Sequence, residues 1–221
     1  MRQPTKNITP IVKVTAPIFE EQEKNTLPLE VLAKEEKVAN AHFSRETVDS
    51  LDKPYLSINN CTFNHMLFQD CRFKSAQLTD VRFENCDLSN ISFASSTFYR
   101  VEFIACKLLG TNFPETTLNH VLIKGCSGQY INLAMSKMRT ACFTDSDFRN
   151  GSFNDSKLIP AAFEGCQLME ADFSHTSLKG IDLRTSRISG IQLNLADLRG
   201  AMVSSLQAMD LLPLLGVTIK D

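Results

Sequence analysis

The residues of this 221-residue chain best suited to chemistry are seven cysteines and four histidines. Four of the cysteines, Cys86, Cys106, Cys126 and Cys166, fall at intervals of twenty, with Ser146 in the place between the last two. Thiolates and imidazoles are metal ligands and nucleophiles, so the series raises a metal or redox centre. Its spacing argues against both, because there is no C-x-x-C pair and no histidine at ligand spacing from a cysteine. Of His42, His65, His120 and His175, the last three each stand two residues after a recurring apolar position, which sets them apart from one another rather than together. No phosphate-cradling glycine loop, G-x-S-x-G elbow or H-E-x-x-H pair occurs. The expectation is a protein that is not an enzyme and uses no cofactor and no metal.

What positions these residues is a period of five. Counting in fives from Ile58 to Val203 gives thirty consecutive positions with no insertion, of which every one but Gly128 is apolar, and thirteen of the fifteen phenylalanines lie in this register. Two residues before nearly every such position, Leu56 and Met66 being the exceptions, stands a small or β-branched residue, and six cysteines, all except Cys142, occupy that slot. A period of 3.6 or 2.0 cannot bury all of them, so neither amphipathic helices nor flat strands explain the pattern. A chain that turns a corner every five residues does, with Asn, Asp, Ser, Thr and Gly at the outer positions suited to tight turns. In that slot a cysteine acts as a small buried hydrophobe.

Units such as Ala171-Asp172-Phe173-Ser174-His175, Ala196-Asp197-Leu198-Arg199-Gly200 and Cys86-Asp87-Leu88-Ser89-Asn90 resemble the A(D/N)LXX motif of pentapeptide-repeat proteins over about residues 56 to 205. The resemblance implies an all-β fold: a right-handed quadrilateral β-helix of 20 residues per coil, here about 7.5 coils and roughly 36 Å tall at about 4.8 Å per stacked strand. One face then stacks Phe63, Phe83 and Phe103, and the opposite face Phe73, Phe93 and Phe113, leaving smaller side chains for the other two. Vertical neighbours among the cysteines lie near enough for a disulfide by Cα separation alone, but a reducing compartment disfavours it. Gly128, between Leu108 and Phe148 in its column, predicts a local gap or a shifted ring.

The net charge of −2 excludes a strongly basic nucleic-acid binder. Resolved by face, it is uneven. The face of Ile58 carries Arg100, Lys137, Arg139, Lys157, Lys179 and Arg199 against Asp80 and Asp197; the face of Phe63 carries Glu84, Glu102, Asp145, Glu164 and Asp182 against Arg82, Lys124 and Arg184. A partner could read one basic wall or this candidate acidic one.

Three domains are expected. Residues 1–54 form a non-repeat cap or arm, with a strand over Ile8–Phe19 and a helix over Leu29–Ala41, since Lys53 and Pro54 interrupt the register. Residues 55–205 form the β-helix. Residues 206–221 form a C-terminal helix, capped by Ser204 or Ser205, and a short strand after Gly216. Its apolar residues Leu206, Met209, Leu212, Leu215, Val217 and Ile219 resemble the C-terminal dimerisation segment of gyrase-protecting, quinolone-resistance members of the family, which implies a two-fold homodimer. No stretch is apolar for the 18 residues a membrane span needs, and no secretory leader is evident, so a cytoplasmic protein is expected.

Two functions follow. The resemblance implies a modulator of DNA gyrase or another type II topoisomerase, a rod imitating duplex DNA that protects against fluoroquinolones; the neutral repeat and its basic wall weigh against phosphate mimicry. The alternative is an interaction scaffold, with the β-helix a rigid spacer and the N-terminal segment its specific element.

Overall fold

The computed structural model describes residues 12–19 and 27–217. After one helical turn, α1 (Val31–Lys34), the chain winds as a β-solenoid. Its strands are β1 (Lys37–Ala39), β2 (His42–Ser44), β3 (Thr47–Asp49), β4 (Ser57–Asn64), β5 (Leu67–Gln69), β6 (Gln77–Glu84), β7 (Thr97–Ile104), β8 (Thr117–Lys124), β9 (Lys137–Thr144), β10 (Lys157–Leu158) and β11 (Ala161–Glu164). All pair in parallel, and residues twenty apart face each other: Val38 on Ile58, Cys61 on Val81, Phe63 on Phe83, Phe83 on Phe103. The main sheet runs β1-β4-β6-β7-β8-β9-β10, with β2 on β4 and β11 on β9. On the other two walls β3 pairs with β5 and the rest are joined by single bridges, such as Asp87 to Lys107 and Ser92 to Asn112.

The five-residue corner has a direct cause. The last residue of nearly every unit is left-handed, from Asn40 at φ 57° to His175 at φ 57°. That conformation costs about 1 kcal/mol or more for a residue with a Cβ. It is offset because the amide there donates to a carbonyl of the next coil: Asn40 to Asn59, Ser75 to Ala94, Asn85 to Ile104, Asn90 to Leu109. Inside, the expected phenylalanine ladders form. Ring centroids are 4.8 Å apart for Phe63–Phe83 and 5.1 Å for Phe83–Phe103, and 5.4 Å for Phe73–Phe93 and 5.3 Å for Phe93–Phe113. The two ladders meet edge to face, as at Phe103–Phe113.

The N-terminal boundary differs from the expected one. The solenoid starts at Lys37, a full coil before residue 55, and the predicted helix over Leu29–Ala41 is only the single turn of α1. Val38 is needed in the core, and the register overrides helical preference there. Lys53 does not break the wall: its amide joins the ladder to Arg72 O, and its ammonium leaves the end of the stack to meet Ala33 O at 2.9 Å. Pro54 fills an exposed position. Residues Val12–Phe19 are extended but form no strand, and residues 8–11 of the predicted one lie outside the described residues. At Gly128 the ring of Phe148 has moved in: a Cβ on the glycine would lie 3.0 Å from Phe148 Cδ1 and Cε1.

One irregularity matters for the surface. Pro160 occupies a corner position, where its fixed negative φ and missing amide forbid the left-handed turn. The strand splits there into β10 and β11, and Leu158, whose register mates Phe98, Leu118 and Met138 are buried, is only half-buried, while Ile159 in its outward slot is exposed.

Candidate interaction surfaces

The cysteines pack as expected and have a second task. Cys86 Sγ donates to Phe63 O (3.4 Å), Cys106 to Phe83 O (3.5 Å), Cys126 to Phe103 O (3.5 Å) and Cys166 to Phe143 O (3.3 Å). Hydroxyls in the same slot do likewise, Ser96 to Phe73 O and Ser136 to Phe113 O, both at 2.9 Å. This shared duty explains why Cys, Ser and Thr alternate there. All seven thiols are free and buried. Burial pushes Cys61 up to about 11 and Cys166 up to about 12. The neighbouring sulfurs of Cys126 and Cys86, with burial, also hold Cys106 protonated. Such thiols are poor nucleophiles at neutral pH. Among the described residues no three His, Cys, Asp or Glu side chains are grouped to hold a metal, and no helix is long and apolar enough to cross a membrane.

The histidines lie apart, each on a local partner. His42 Nδ1 meets Thr62 Oγ1 at 2.7 Å, His65 Nδ1 meets Asn64 Oδ1, and His175 Nδ1 lies 3.5 Å from Asp155 Oδ1. His120 accepts from the amide of Thr15 at 3.2 Å.

Some of the outward charges are paired at short range. Asp80 holds Arg100 through a two-pronged contact, Nε to Oδ1 at 2.6 Å, and Arg82 holds Glu102 at 2.7 Å. Lys107 meets Asp87 one coil below at 3.3 Å, Arg149 meets Asp147 at 2.7 Å and Arg184 meets Asp182 at 2.6 Å. Burial raises Asp80, but the hydrogen bonds from Arg100 and from the Ile18 amide outweigh it and hold the carboxyl below its ordinary range. The basic wall therefore loses Arg100, which also lies on the Tyr99 ring, 4.3 Å from its centroid. Lys137, Arg139, Lys157, Lys179 and Arg199 remain exposed. Of the candidate acidic face, Glu102 is buried and Asp182 is paired, Glu84 is half-buried, and Asp145 and Glu164 are exposed.

A surface that residue types alone did not reveal is the one under Val12–Phe19. This extended segment runs along the outside of the rod, across the coils rather than with them. The Ile18 amide donates to Asp80 Oδ1 at 2.8 Å and the Thr15 amide to His120 Nδ1, two coils on. Arg82 lies over the Phe19 ring, 5.4 Å from its centroid. Val12 then lines a groove with Thr144, Leu158, Ile159, Pro160 and Ala162, beside the corner that Pro160 breaks. The outward column beneath the segment is Arg82, Glu102, Leu122, Cys142, Ala162, in strand register. Although these slots face outward, Glu102 is 7% and Cys142 9% exposed. The legible signal was apolar residues at outer positions twenty apart, Leu122, Cys142 and Ala162, together with Pro160 in a corner slot.

The C-terminal end is a third surface. Ser204 caps α2 (Ser205–Leu211) in a capping box with Gln207, and the Gln207 amide nitrogen donates to Leu183 O and Ser186 O, both at 2.7 Å, fastening the helix across the last coils. At Pro213 the helix gives way to a 3-10 turn over Leu212–Leu215, closed by left-handed Gly216. Leu211 is buried and Leu212 half-buried, while Leu206 (77%), Met209 (52%), Leu215 (59%) and Val217 (47%) are exposed. Ile219 lies outside the described residues.

Several solved structures are similar to the chain. A trypsin-treated form of QnrB1, a plasmid-mediated fluoroquinolone resistance protein, matches at 22% identity over 84% of this chain and 90% of its own, with a TM-score of 0.44. HetL, involved in heterocyst differentiation regulation in the cyanobacterium Nostoc sp. strain PCC 7120, matches at 12% identity over 75% and 86%, with a TM-score of 0.32. A pentapeptide repeat protein from the Arabidopsis thaliana thylakoid lumen matches at 18% identity over 49% and 75%, with a TM-score of 0.44. No curated protein matches the chain. The model of the pentapeptide repeat region matches residues 76–146 and 96–173, and that of pentapeptide repeats in eight copies matches residues 57–94 and 166–202. With corner, core ladder and repeat model agreeing from residue 57 to residue 202, the chain belongs to the pentapeptide-repeat family.

Proposed function

We propose that the chain is a non-catalytic interaction module, a rod that pairs with a second copy through its C-terminal end and offers its walls to a protein partner. One observation carries the reading. Gln207 fastens α2 across the last coils, yet Leu206, Met209, Leu215 and Val217 stay in water. A helix needed only as a lid would bury its apolar face; a patch left outside is what an isologous dimer covers. Seven free thiols suit a reducing, cytoplasmic setting. Light scattering should give a dimer for the full chain and a monomer for the double variant Leu206→Glu, Met209→Glu; a monomeric parent at high concentration would sink the dimer.

Modulation of DNA gyrase is the second reading, favoured by the Leu215-Gly216-Val217 ending. The ion pairs at Asp80, Glu102 and Asp182 bear against it as mimicry of a phosphate backbone, whose negative charge must stay unpaired to be read. A supercoiling assay with and without a fluoroquinolone decides it: unchanged activity at large molar excess of the protein removes gyrase as the partner and leaves the dimer standing.

A further inference from the structure

The Val12–Phe19 segment is matched to the rod in length. Its anchoring amides, Thr15 and Ile18, are three residues apart, and their acceptors, His120 and Asp80, are two coils apart. An extended chain advances about 3.3 Å per residue and the coils about 4.8 Å each, so both intervals are near 10 Å. Three residues further, Val12 reaches the groove at Leu158–Ala162, again two coils on. Side chains alternate accordingly: Val12, Val14, Pro17 and Phe19 are half-buried, while Lys13, Thr15, Ala16 and Ile18 are exposed. The contact therefore steps every two coils, from Asp80 to His120 to the groove at Leu158–Ala162, with an apolar outward column, Leu122, Cys142 and Ala162, alongside it.

We propose that this wall is a track for extended peptides, that Val12–Phe19 is its resident, self-supplied ligand, and that an extended segment of a protein partner takes the same track when the strap lifts. The occupant's chemistry is set by the resident: backbone amides three residues apart for Asp80 and His120, small or β-branched apolar side chains toward the outward column, and an aromatic ring for Arg82. The main-chain contacts provide binding and the apolar positions provide selection, as in other cases where a chain is held along a structured surface. An attached strap competes at high effective concentration, so the closed state disfavours outside peptides. This inference stands whether or not α2 pairs two copies.

Cys142 reports on the strap, because it lies in the outward column between the Thr15 and Val12 contacts while the other six cysteines point into the core. The full chain carrying Thr15→Pro and Ile18→Pro lacks both anchoring amides. Iodoacetamide labelling, read by peptide mass spectrometry, should be at least about ten-fold faster at Cys142 in this variant than in the parent, about 1.4 kcal/mol of protection, with the six core thiols unchanged as a check on folding. A labelled peptide of residues 11–20 should bind the variant saturably and the parent at least ten-fold more weakly. A second variant, Val12→Asp with Val14→Asp, should act in the same way by losing the apolar contacts. Equal Cys142 labelling in parent and both variants, or no saturable peptide binding to either variant, overturns the proposal.

Discussion

The ring of Phe148 fills the space that a side chain at position 128 would take, with two ring carbons 3.0 Å from where the Cβ would be. The glycine is therefore compensated, and restoring the repeat residue should harm rather than help. Gly128→Leu is expected to lower stability by about 1–3 kcal/mol through overpacking, and adding Phe148→Leu should recover part of it. Urea midpoints of the three variants check this; a stabilised Gly128→Leu would mean the ring moves away freely.

Asp80 joins the strap to the wall, because it takes both the Arg100 guanidinium and the Ile18 amide. Both side chains of the pair are largely buried, so Arg100→Ala strands a carboxylate and should cost about 2–3 kcal/mol. Asp80→Asn should cost less, since the amide can still accept from Ile18, and the difference between the two variants in thermal melts measures the charge.

Acid should loosen the same contact. The Asp80 carboxyl is held below its ordinary 3.8. A carboxyl depressed in the folded state contributes stability that is full above the ordinary value and is lost as the pH falls through the depressed one. Stability should thus decline below pH 3.8, with Asp147 and Asp87, depressed despite burial by their bonds to Arg149 and Ser89, adding to the slope. The Asp80→Asn variant should show a shallower decline in pH-dependent denaturation.

Gln207 answers two carbonyls at the end of the stack. Gln207→Leu leaves Leu183 O and Ser186 O without that donor and removes half of the capping box, so a loss of about 1–3 kcal/mol is expected. Hydrogen exchange should show the change confined to α2 and the last coils; uniform destabilisation would argue that the end folds with the whole rod.

Pro160 is the residue that opens the groove. Asn is found left-handed at other corners, including Asn60, Asn85 and Asn150. Pro160→Asn should restore the corner and its amide and raise stability by about 0.5–1.5 kcal/mol. If the groove is part of the track, the same variant should also change Cys142 labelling, which separates a local repair from a silent one.

Much of this was legible because the repeat makes position equal to environment. A period of five names the inward slots outright, so the stacking of Phe63, Phe83 and Phe103 and the packing role of Cys86 and Cys106 follow from their positions alone. Lys53 and Pro54 misled because they break the residue pattern without breaking the backbone: a lysine at the end of a stack can leave sideways, and a proline costs nothing where its slot calls for no ladder amide. The arm was harder still. Nothing in Val12–Phe19 names its acceptors, since Asp80 and His120 lie 62 and 105 residues away in sequence.

The order of residues thus determined the coil, the core and which side chains face outward, because each of these depends on contacts at a fixed interval of five or twenty. The tertiary structure alone decided which outward charges cancel, where the first coil begins and what covers the wall over Cys142. Those depend on side-chain reach and on a docking between non-repeating and repeating segments, for which no periodicity exists to be read.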